Sequence, residues 1–267
     1  MQFVQFKHLK VSRFILGSNP FSGFSHQSLA MGETMRHYFT TTNIKAVLRQ
    51  AESLGVNTLI ARTDFHVMRM LMEYRDEGGT LQWFAQTCPE VGSHEACILR
   101  AYNFGAKAVH IHGGVMDNLF AQGKLDEIPP ALALIHEKGM LAGIAAHNHE
   151  VIAWAEEHLD LDYYLCCYYN PSHRDAHAAH DPNVTEFYLE EDRRSMTDLI
   201  QNLSRPVVHY KIMAAGRNDP QAAFAFAASK MRPNDAVCVG IYQKDNPDIL
   251  RQDVRLLEES LAVVAIR

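Results

Sequence analysis

Eight short apolar segments, each followed by a longer amphipathic segment, constrain the fold of this chain more than any other feature. The predicted strands span 12–19, 56–62, 81–88, 106–113, 140–147, 162–170, 206–216 and 235–242. Helical periodicity follows each strand, as in residues 41–55, where Ile44, Val47 and Leu48 share one face. Strict alternation of strand and helix is typical of a parallel sheet. Because eight such units fit the 267 residues, we predict an α/β fold, a (β/α)8 TIM barrel.

An open, doubly wound sheet is the structural alternative, but the sequence favours the closed barrel. Open sheets that bind dinucleotides carry Gly-x-Gly-x-x-Gly after their first strand, and that motif is missing after the strand at 12–19. The composition along the chain does not change in the way that a linker would require. We therefore predict a single domain over residues 1–267.

The composition of the chain argues against some classes of binding partner. The formal net charge is −6, without any basic block, which argues against nucleic acid and anionic membranes. The sequence lacks the apolar run of about 18 residues that a membrane span needs, and its first residues lack a signal-peptide pattern. Five scattered cysteines do not indicate a disulfide framework. We expect a cytoplasmic protein whose partner is a small molecule, in an oligomeric state that the sequence leaves open.

Fifteen histidines are the unusual part of the composition, and they include two His-x-His pairs at strand ends. His110 and His112 end the fourth predicted strand. His147 ends the fifth, and His149 begins the helix that follows. Side chains alternate between the two faces of a barrel strand, and active-site groups lie at the carboxyl ends of the strands. We therefore expect His112 and His147 at the mouth of the barrel. His110 and His209 lie earlier in their strands and are expected in the core.

Imidazoles on adjacent strand ends, together with carboxylates, are typical ligands of a divalent metal. We predict a Zn or Mn site formed by Glu90, His112, His147 and His149. The favoured function is metal-assisted hydrolase, lyase or isomerase chemistry on a small polar metabolite, because a metal can polarise a carbonyl or acidify a bound water. The predicted catalytic residues are Asp64, His112 and Lys211.

The loops after the seventh and eighth strands indicate a phosphate site. Barrels commonly bind phosphate there. Arg217 and Lys244 lie in these loops, just before the helix starts expected at 219 and 246. A phosphorylated small molecule is thus one possible substrate. Asp–Pro and Asn–Pro are also ordinary helix starts, so a purely structural interpretation stays open.

Most of the chain resembles the aldo-keto reductase superfamily. The matching segments are FILGSNPFSG (14–23), VLRQAESLGVNTLIART (47–63), KAVHIHGG (107–114), 143–172, HYKIMAAGR (209–217) and 237–260. Within 143–172 the family typically has Gly-Val-Ser-Asn, a helix, and a strand that ends near Tyr-Asn. The resemblance implies a TIM barrel, and it implies NADPH-dependent carbonyl reduction by a tetrad of Asp, Tyr, Lys and His.

The catalytic pattern of that family is incomplete in this chain. His112 falls where the family histidine would be, but Ile60 and Phe65 fall at the positions of the aspartate and the tyrosine. The third strand, 81–88, has no lysine, and Ala145–Ala146 replaces the Ser–Asn pair that holds the nicotinamide amide. We therefore expect weak or no binding of NADP.

Three other functions stay open. One is a NAD(P)-dependent oxidoreductase of the aldo-keto reductase type. Another is an aldolase in which Lys211 forms a Schiff base, because a lysine inside a low-dielectric barrel can have a lowered pKa. The third is a ligand-binding barrel without catalysis. The segment 171–190, with His173, His177 and His180, is expected to be either solvated or a lid.

Overall fold

The chain begins with an antiparallel hairpin and continues as a closed barrel of eight parallel strands. The computed structural model describes residues 1–172, 177–178 and 184–266. The hairpin consists of β1 (Phe3–Phe6) and β2 (Leu9–Ser12). The barrel strands are β3 (Phe14–Gly17), β4 (Thr58–Arg62), β5 (Gln82–Gln86), β6 (Ala108–Ile111), β7 (Leu141–Ala146), β8 (Tyr163–Cys167), β9 (Val207–Tyr210) and β10 (Ala236–Gly240). Neighbouring strands pair in chain order, and β10 closes the ring on β3. The predicted (β/α)8 barrel is confirmed.

The hairpin fills the amino-terminal end of the barrel. Val4 and Phe6 of β1 are buried among the residues of the barrel interior. The ring of Phe6 lies 6.2 Å from the ring of Phe84 and 5.9 Å from that of Tyr163, as centroids. Aromatic rings at such distances pack favourably. The base of the barrel is therefore filled with side chains, and ligands are expected at the opposite end.

Ten α-helices in the described residues surround the barrel. They are α1 (Leu29–Tyr38), α2 (Thr41–Ser53), α3 (Phe65–Asp76), α4 (His94–Asn103), α5 (Gly113–Gln122), α6 (Ile128–Glu137), α7 (His149–His158), α8 (Glu190–Ile200), α9 (Pro220–Lys230) and α10 (Ile249–Ala265). None of these helices is long and apolar enough to cross a membrane. Two of them, α1 and α5, are additional to the one helix after each barrel strand that the sequence predicts.

The glycines that open α5 explain why this helix is hidden in the sequence. Gly113 and Gly114 together are typical of a loop. In the structure they are needed for close packing, because a Cβ on Gly113 would lie 3.1 Å from both Cε1 of His147 and Oη of Tyr210. A contact of this length is tighter than nine in ten real Cβ contacts, so His147 or Tyr210 would have to shift. The helix thus starts directly at the end of β6.

Alternation along β6 places its side chains as expected. Val109 and Ile111 pack in the layer between the strands and the helices, whereas His110 points into the barrel. Nδ1 of His110 lies 3.2 Å from the hydroxyl oxygen of Tyr163. Burial lowers the pKa of His110 to about 3, so this histidine is a neutral core residue.

A buried polar network surrounds His209 in β9. Its Nδ1 lies 2.9 Å from the hydroxyl of Tyr168, and its Nε2 lies 3.3 Å from Oδ2 of Asp235. Asp235 also accepts hydrogen bonds from the backbone N–H of Val207 at 2.9 Å and from Nε of Arg232 at 3.0 Å. Burial opposes the ionisation of Asp235, but the hydrogen bonds from His209 and Arg232 lower its pKa to about 2. His209 is therefore part of the core, as expected.

Candidate active site

A cavity of about 500 Å³ opens at the carboxyl ends of the barrel strands. Ligand sites for small molecules usually measure about 300–1,000 Å³. On one side, His112, His147 and Tyr210 line the cavity, and on the other side Tyr242 and Asp253 line it. In the ring of strands, β6 and β7 lie opposite β10 and β3. The cavity therefore crosses the mouth of the barrel, from the two histidines to α10.

A histidine–aspartate pair forms part of the cavity wall. Nδ1 of His147 lies 2.7 Å from Oδ2 of Asp117, and the two residues are only 7% and 6% exposed. The carboxylate of Asp117 also accepts hydrogen bonds from the backbone N–H groups of His147 and Asn148, at 3.1 and 3.2 Å. Several N–H donors favour the ionised form of a carboxyl group. An ionised Asp117 is an acceptor only, so it selects the tautomer of His147 that carries its proton on Nδ1.

Two helix starts bring this pair together. Because α5 begins directly after β6, Asp117 lies one turn into the helix and beside the end of β7. The side chain of Asn148 caps α7 and accepts the N–H of Glu150 at 3.0 Å, which fixes the turn that follows His147. The sequence does not single out Asp117, because the glycines at 113 and 114 suggest a loop where α5 begins. A helix assigned from Gly113 onward would have indicated that the carboxyl group of Asp117 lies near the strand ends.

Tyr210 and Lys211 complete this side of the cavity. The ring of Tyr210 lies 5.9 Å from the ring of His147, as centroids, and its hydroxyl donates to the carbonyl oxygen of Ala146 at 3.4 Å. Burial raises the pKa of Tyr210 well above its ordinary value, so the phenol stays protonated. Lys211 lines the cavity and has a φ of 55°. That left-handed conformation is uncommon outside glycine and is often found at functional sites.

Asp64 and Glu90, both predicted site residues, are joined by an arginine. Nε of Arg62 donates to Oδ2 of Asp64 at 3.0 Å, and its Nη2 donates to Oε2 of Glu90 at 3.2 Å. Asp64 is also the N-cap of α3, where Oδ1 accepts the N–H of Val67 at 2.9 Å. In the described part of the chain, Arg62 and Glu90 line the cavity and Asp64 does not. The two carboxylates thus hold the guanidinium of Arg62 at the cavity.

His112 lies next to His147 at the mouth. Its backbone N–H donates to Oγ1 of Thr87 at 3.0 Å, and its side chain lines the cavity. A Cβ on Gly114 would lie 3.0 Å from Cε1 of His112, just as one on Gly113 would meet His147. The two imidazoles therefore flank the first turn of α5.

Three other predicted site residues lie apart from this group. His149 is the first residue of α7, and neither it nor Arg217 nor Lys244 lines the cavity that the described residues form. Arg217 donates to the carbonyl oxygens of Ala214 at 3.1 Å and His26 at 3.0 Å, so its guanidinium supports the surrounding loops. Lys244 is exposed.

The expectation for the segment 171–190 is not tested by this structure. His173 and His180 lie outside the described residues, and His177 is exposed. At the edge of that segment, Oε1 of Glu186 lies 2.8 Å from Nδ1 of His26, which lines the cavity. Burial opposes the ionisation of Glu186, but its hydrogen bond with His26 and the charge of Lys211 hold its pKa well below the usual range.

The predicted metal site is wrong. Within residues 1–172, 177–178 and 184–266, no group of three or more His, Cys, Asp or Glu side chains could hold a metal ion. Glu90 pairs with Arg62, and Nδ1 of His147 pairs with the carboxylate of Asp117. In the described residues, His149 does not line the cavity. The predicted ligands Glu90, His112, His147 and His149 therefore do not converge on one point.

Comparison with known proteins identifies the type of barrel. The chain matches no protein-family model and has no significant match among curated proteins. Its structure is similar to that of a protein described as an aldo-keto reductase from Pseudomonas aeruginosa, with a TM-score of 0.67 and 16% identity over 98% of this chain and 95% of that one. It is also similar to the holo form of an aldo-keto reductase from Bacillus halodurans, with a TM-score of 0.62 and 12% identity over 99% and 94% of the two chains.

These comparisons correct two expectations. The favoured metal-assisted hydrolase, lyase or isomerase function is wrong, because the similar barrels are described as reductases and the described residues offer no metal centre. The expectation of weak or no NADP binding is also overturned, since aldo-keto reductases use NAD(P)H. At 16% identity or less the similarity shows the fold, and it confirms the resemblance seen in the sequence. The chain folds as a divergent barrel of the aldo-keto reductase type.

Proposed function

We propose that the protein is a nicotinamide-dependent oxidoreductase that interconverts a small polar carbonyl compound and the corresponding alcohol. The observation that carries this proposal is the pair of His147 and Asp117 in the cavity wall. Carbonyl reduction needs a hydride and a proton. A histidine oriented by a carboxylate can deliver that proton near neutral pH. The similarity to reductase barrels supports the same class of reaction.

The lining of the cavity fits a nicotinamide cofactor, which supplies or accepts the hydride when it is bound. The ring of Tyr210, beside His147, offers a flat surface against which a nicotinamide would pack. The cavity continues from that ring across the mouth of the barrel, which leaves room for the rest of the cofactor. Ala145 has no polar group for the nicotinamide amide, but Gln86 and Asn218 also line the cavity and carry groups that can bond to it.

His147 moves the proton in this proposal. Its Nδ1 is bonded to Asp117, so its other ring nitrogen, Nε2, exchanges the proton with the substrate oxygen. In reduction the imidazolium gives a proton to the carbonyl oxygen, which becomes a hydroxyl. In oxidation the neutral imidazole takes that proton back. Asp117 orients the ring and stabilises the imidazolium while it exists.

Cationic side chains around the two histidines support a polar substrate. Lys211 and His112 line the cavity and can donate hydrogen bonds to the substrate oxygen, where a positive charge stabilises developing negative charge. Arg62 can bind hydroxyl or carboxylate groups of the substrate. A sugar-like aldehyde or ketone suits these donors. A phosphorylated substrate paired with Arg217 and Lys244 stays a prediction.

The test compares two histidines that share one His-x-His pair. NADH and NADPH are each supplied with a panel of small hydroxyaldehydes, hydroxyketones and aldoses, and the loss of reduced dinucleotide is followed. We expect turnover, and we expect His147→Ala to lower kcat by about 10²- to 10⁴-fold, the usual contribution of a general acid. His149→Ala is the matched control and should keep the wild-type rate. Equal rates for wild type and His147→Ala would refute the proposal.

A further inference from the structure

Arg62 is held in one orientation at the wall of the cavity. It ends β4, is only 8% exposed and lines the cavity. Besides its hydrogen bonds to Asp64 and Glu90, its guanidinium carbon lies 4.8 Å from the centre of the Phe24 ring. A guanidinium that packs on an aromatic ring and bonds to carboxylates keeps a fixed plane. Arg62 therefore offers its remaining N–H groups to a ligand in a fixed direction.

Arg62 and Glu90 each have hydrogen-bonding capacity that the described residues do not use. Nε and Nη2 of Arg62 bond to the two carboxylates, whereas Nη1 makes no hydrogen bond within the described part of the chain. Oε2 of Glu90 accepts from Arg62, but Oε1 has no hydrogen-bond partner among the same residues. Both side chains line the cavity. An available donor thus lies close to an available acceptor.

A donor close to an acceptor suits neighbouring hydroxyl groups. A hydroxyl both donates and accepts hydrogen bonds. One hydroxyl of a ligand can therefore donate to Oε1 of Glu90 while the next one accepts from Nη1 of Arg62. Hydrogen bonds to charged groups are about twice as strong as those between neutral groups. Two adjacent hydroxyls on a carbon chain would satisfy both side chains at once.

The charges around Arg62 disfavour a ligand that carries a carboxylate. The amino-terminal end of α3, which Asp64 caps, offsets part of the charge of Asp64, and Glu90 balances the charge of Arg62. Lys211, the other lysine or arginine that lines the cavity among the described residues, follows β9, three strands away from β4. A ligand carboxylate at Nη1 would therefore lie close to the carboxylate of Glu90. Like charges in a poorly solvated site repel strongly.

The two side chains lie apart from the proposed site of reaction. Arg62 ends β4, and His147 follows β7, three strands further around the ring. Neighbouring strands are about 4.8 Å apart, so the two strand ends are separated by roughly 14 Å around the wall. In the proposed reaction, on which this inference rests, the carbonyl group lies at His147. Hydroxyls at Arg62 and Glu90 then belong to carbon atoms well removed from the carbonyl carbon.

We propose that Arg62 and Glu90 form a diol subsite, which binds two neighbouring hydroxyl groups at the far end of the substrate. The substrate is then a neutral aldose or ketose of several carbon atoms, rather than a sugar acid or an aldehyde without hydroxyls. The diol subsite determines specificity and takes no part in the transfer of hydride or proton. Because it binds a remote part of the substrate equally before and during the reaction, its loss should appear mainly in KM.

Steady-state kinetics with matched substrates test the diol subsite. NADH or NADPH, whichever supports turnover, is supplied with an aldohexose, the corresponding hexuronate, or glycolaldehyde. Wild type should prefer the aldohexose to the hexuronate. Glu90→Gln should raise KM for the aldohexose about tenfold with little change in kcat, because a charged acceptor is lost. It should lower KM for the hexuronate, because the repulsion is removed.

Two controls show whether the effect belongs to the diol subsite. Glycolaldehyde has a chain of two carbon atoms and is too short to reach from His147 to Arg62, so Glu90→Gln should leave its kinetics unchanged. Glu95→Gln changes an exposed carboxylate in α4, the helix that follows the loop of Glu90. It should leave the kinetics of all three substrates unchanged. Thermal melts of both variants check that the fold is intact.

A binding experiment without cofactor separates the diol subsite from the reaction. The corresponding hexitol and hexonate cannot react without a nicotinamide, and the rise in melting temperature that each causes reports its binding. The hexitol should stabilise wild type more than the hexonate does, and Glu90→Gln should lose that difference. Glu95→Gln should keep the difference, which controls for general stabilisation by polyols.

The two experiments distinguish failure of the diol subsite from failure of the proposed function. Turnover with an unchanged KM for the aldohexose in Glu90→Gln would overturn the diol subsite and leave the proposed function standing. A wild type that prefers the hexuronate, or that the hexitol does not stabilise, would also overturn the diol subsite. Hexitol binding that is lost in Glu90→Gln, in a protein that reduces none of the carbonyl compounds, would overturn the proposed function and support the diol subsite.

Discussion

The buried carboxyl of Asp253 should make the stability of the protein depend on pH. Burial raises its pKa to about 7, from an ordinary value of 3.8. Each unit of difference between the folded and unfolded states corresponds to about 1.36 kcal/mol, so ionisation of this group in the folded protein costs about 4 kcal/mol. Asn has nearly the same shape and no charge to ionise. Asp253→Asn should therefore gain stability relative to wild type as the pH rises.

The sign of the effect follows from the two pKa values. Below pH 3.8 the carboxyl is protonated in both the folded and the unfolded chain, and it has no differential effect. As the pH rises from 3.8 to about 7, the unfolded chain loses the proton and the folded chain keeps it, so the wild type loses stability. Above about 7 both states are ionised and the difference stays constant.

Urea denaturation at a series of pH values from about 4 to about 8.5 measures this difference directly. The free energy of unfolding of Asp253→Asn minus that of wild type should rise by about 3–4 kcal/mol over the series. Other titrating groups are shared by both proteins and cancel. Asp248→Asn, at an exposed site, should show no such rise. A difference between Asp253→Asn and wild type that stays constant with pH would show that the carboxyl is solvated or paired in the folded protein.

Three further predictions concern the wall and the base of the barrel. Asp117→Asn should lower kcat by about 10²-fold or more with little change in KM, because the orientation and charge that Asp117 gives His147 are lost; steady-state kinetics and a thermal melt of the variant check this. Gly113→Ala places a methyl group 3.1 Å from both His147 and the hydroxyl of Tyr210, so it should lower kcat while leaving the far-ultraviolet circular dichroism unchanged. Asp235→Ala leaves buried donors without their acceptor and should cost about 3–5 kcal/mol of unfolding free energy, measured by urea denaturation; a loss below about 1 kcal/mol would contradict the role assigned to that network.

The fold could be predicted from the sequence because it depends on a pattern repeated along the whole chain. Each barrel strand is buried on both sides and each helix has one apolar face, so errors at single residues do not change the result. The alternation of side chains along β6 likewise places His110 in the core and His112 at the mouth of the barrel. Topology alone then places His147 beside it, directly after the next strand.

The partners of these histidines could not be predicted in the same way. A His-x-His pair is compatible with a metal site. Whether its imidazoles meet a metal or a carboxylate depends on the distances between these side chains, and those depend on where the next helix begins. Because Gly113 starts α5 at once, Asp117 reaches Nδ1 of His147. Arg62, which sequence reasoning does not single out, pairs with the carboxylate expected to bind the metal, Glu90. Side-chain pairing across strand ends depends on tertiary geometry that local pattern does not contain.

The hairpin at the base of the barrel has a consequence for the order in which the reactants of the proposed reaction bind. Because Phe6 packs against Phe84 and Tyr163, the barrel is filled at its amino-terminal end. Both reactants of the proposed reaction would therefore enter and leave at the carboxyl end of the strands. The reactant that binds deeper must arrive before the shallower one and can depart only after it. In that reaction, a dinucleotide packed against Tyr210 in the cavity would lie beneath a carbonyl compound that binds after it, and it would be released last.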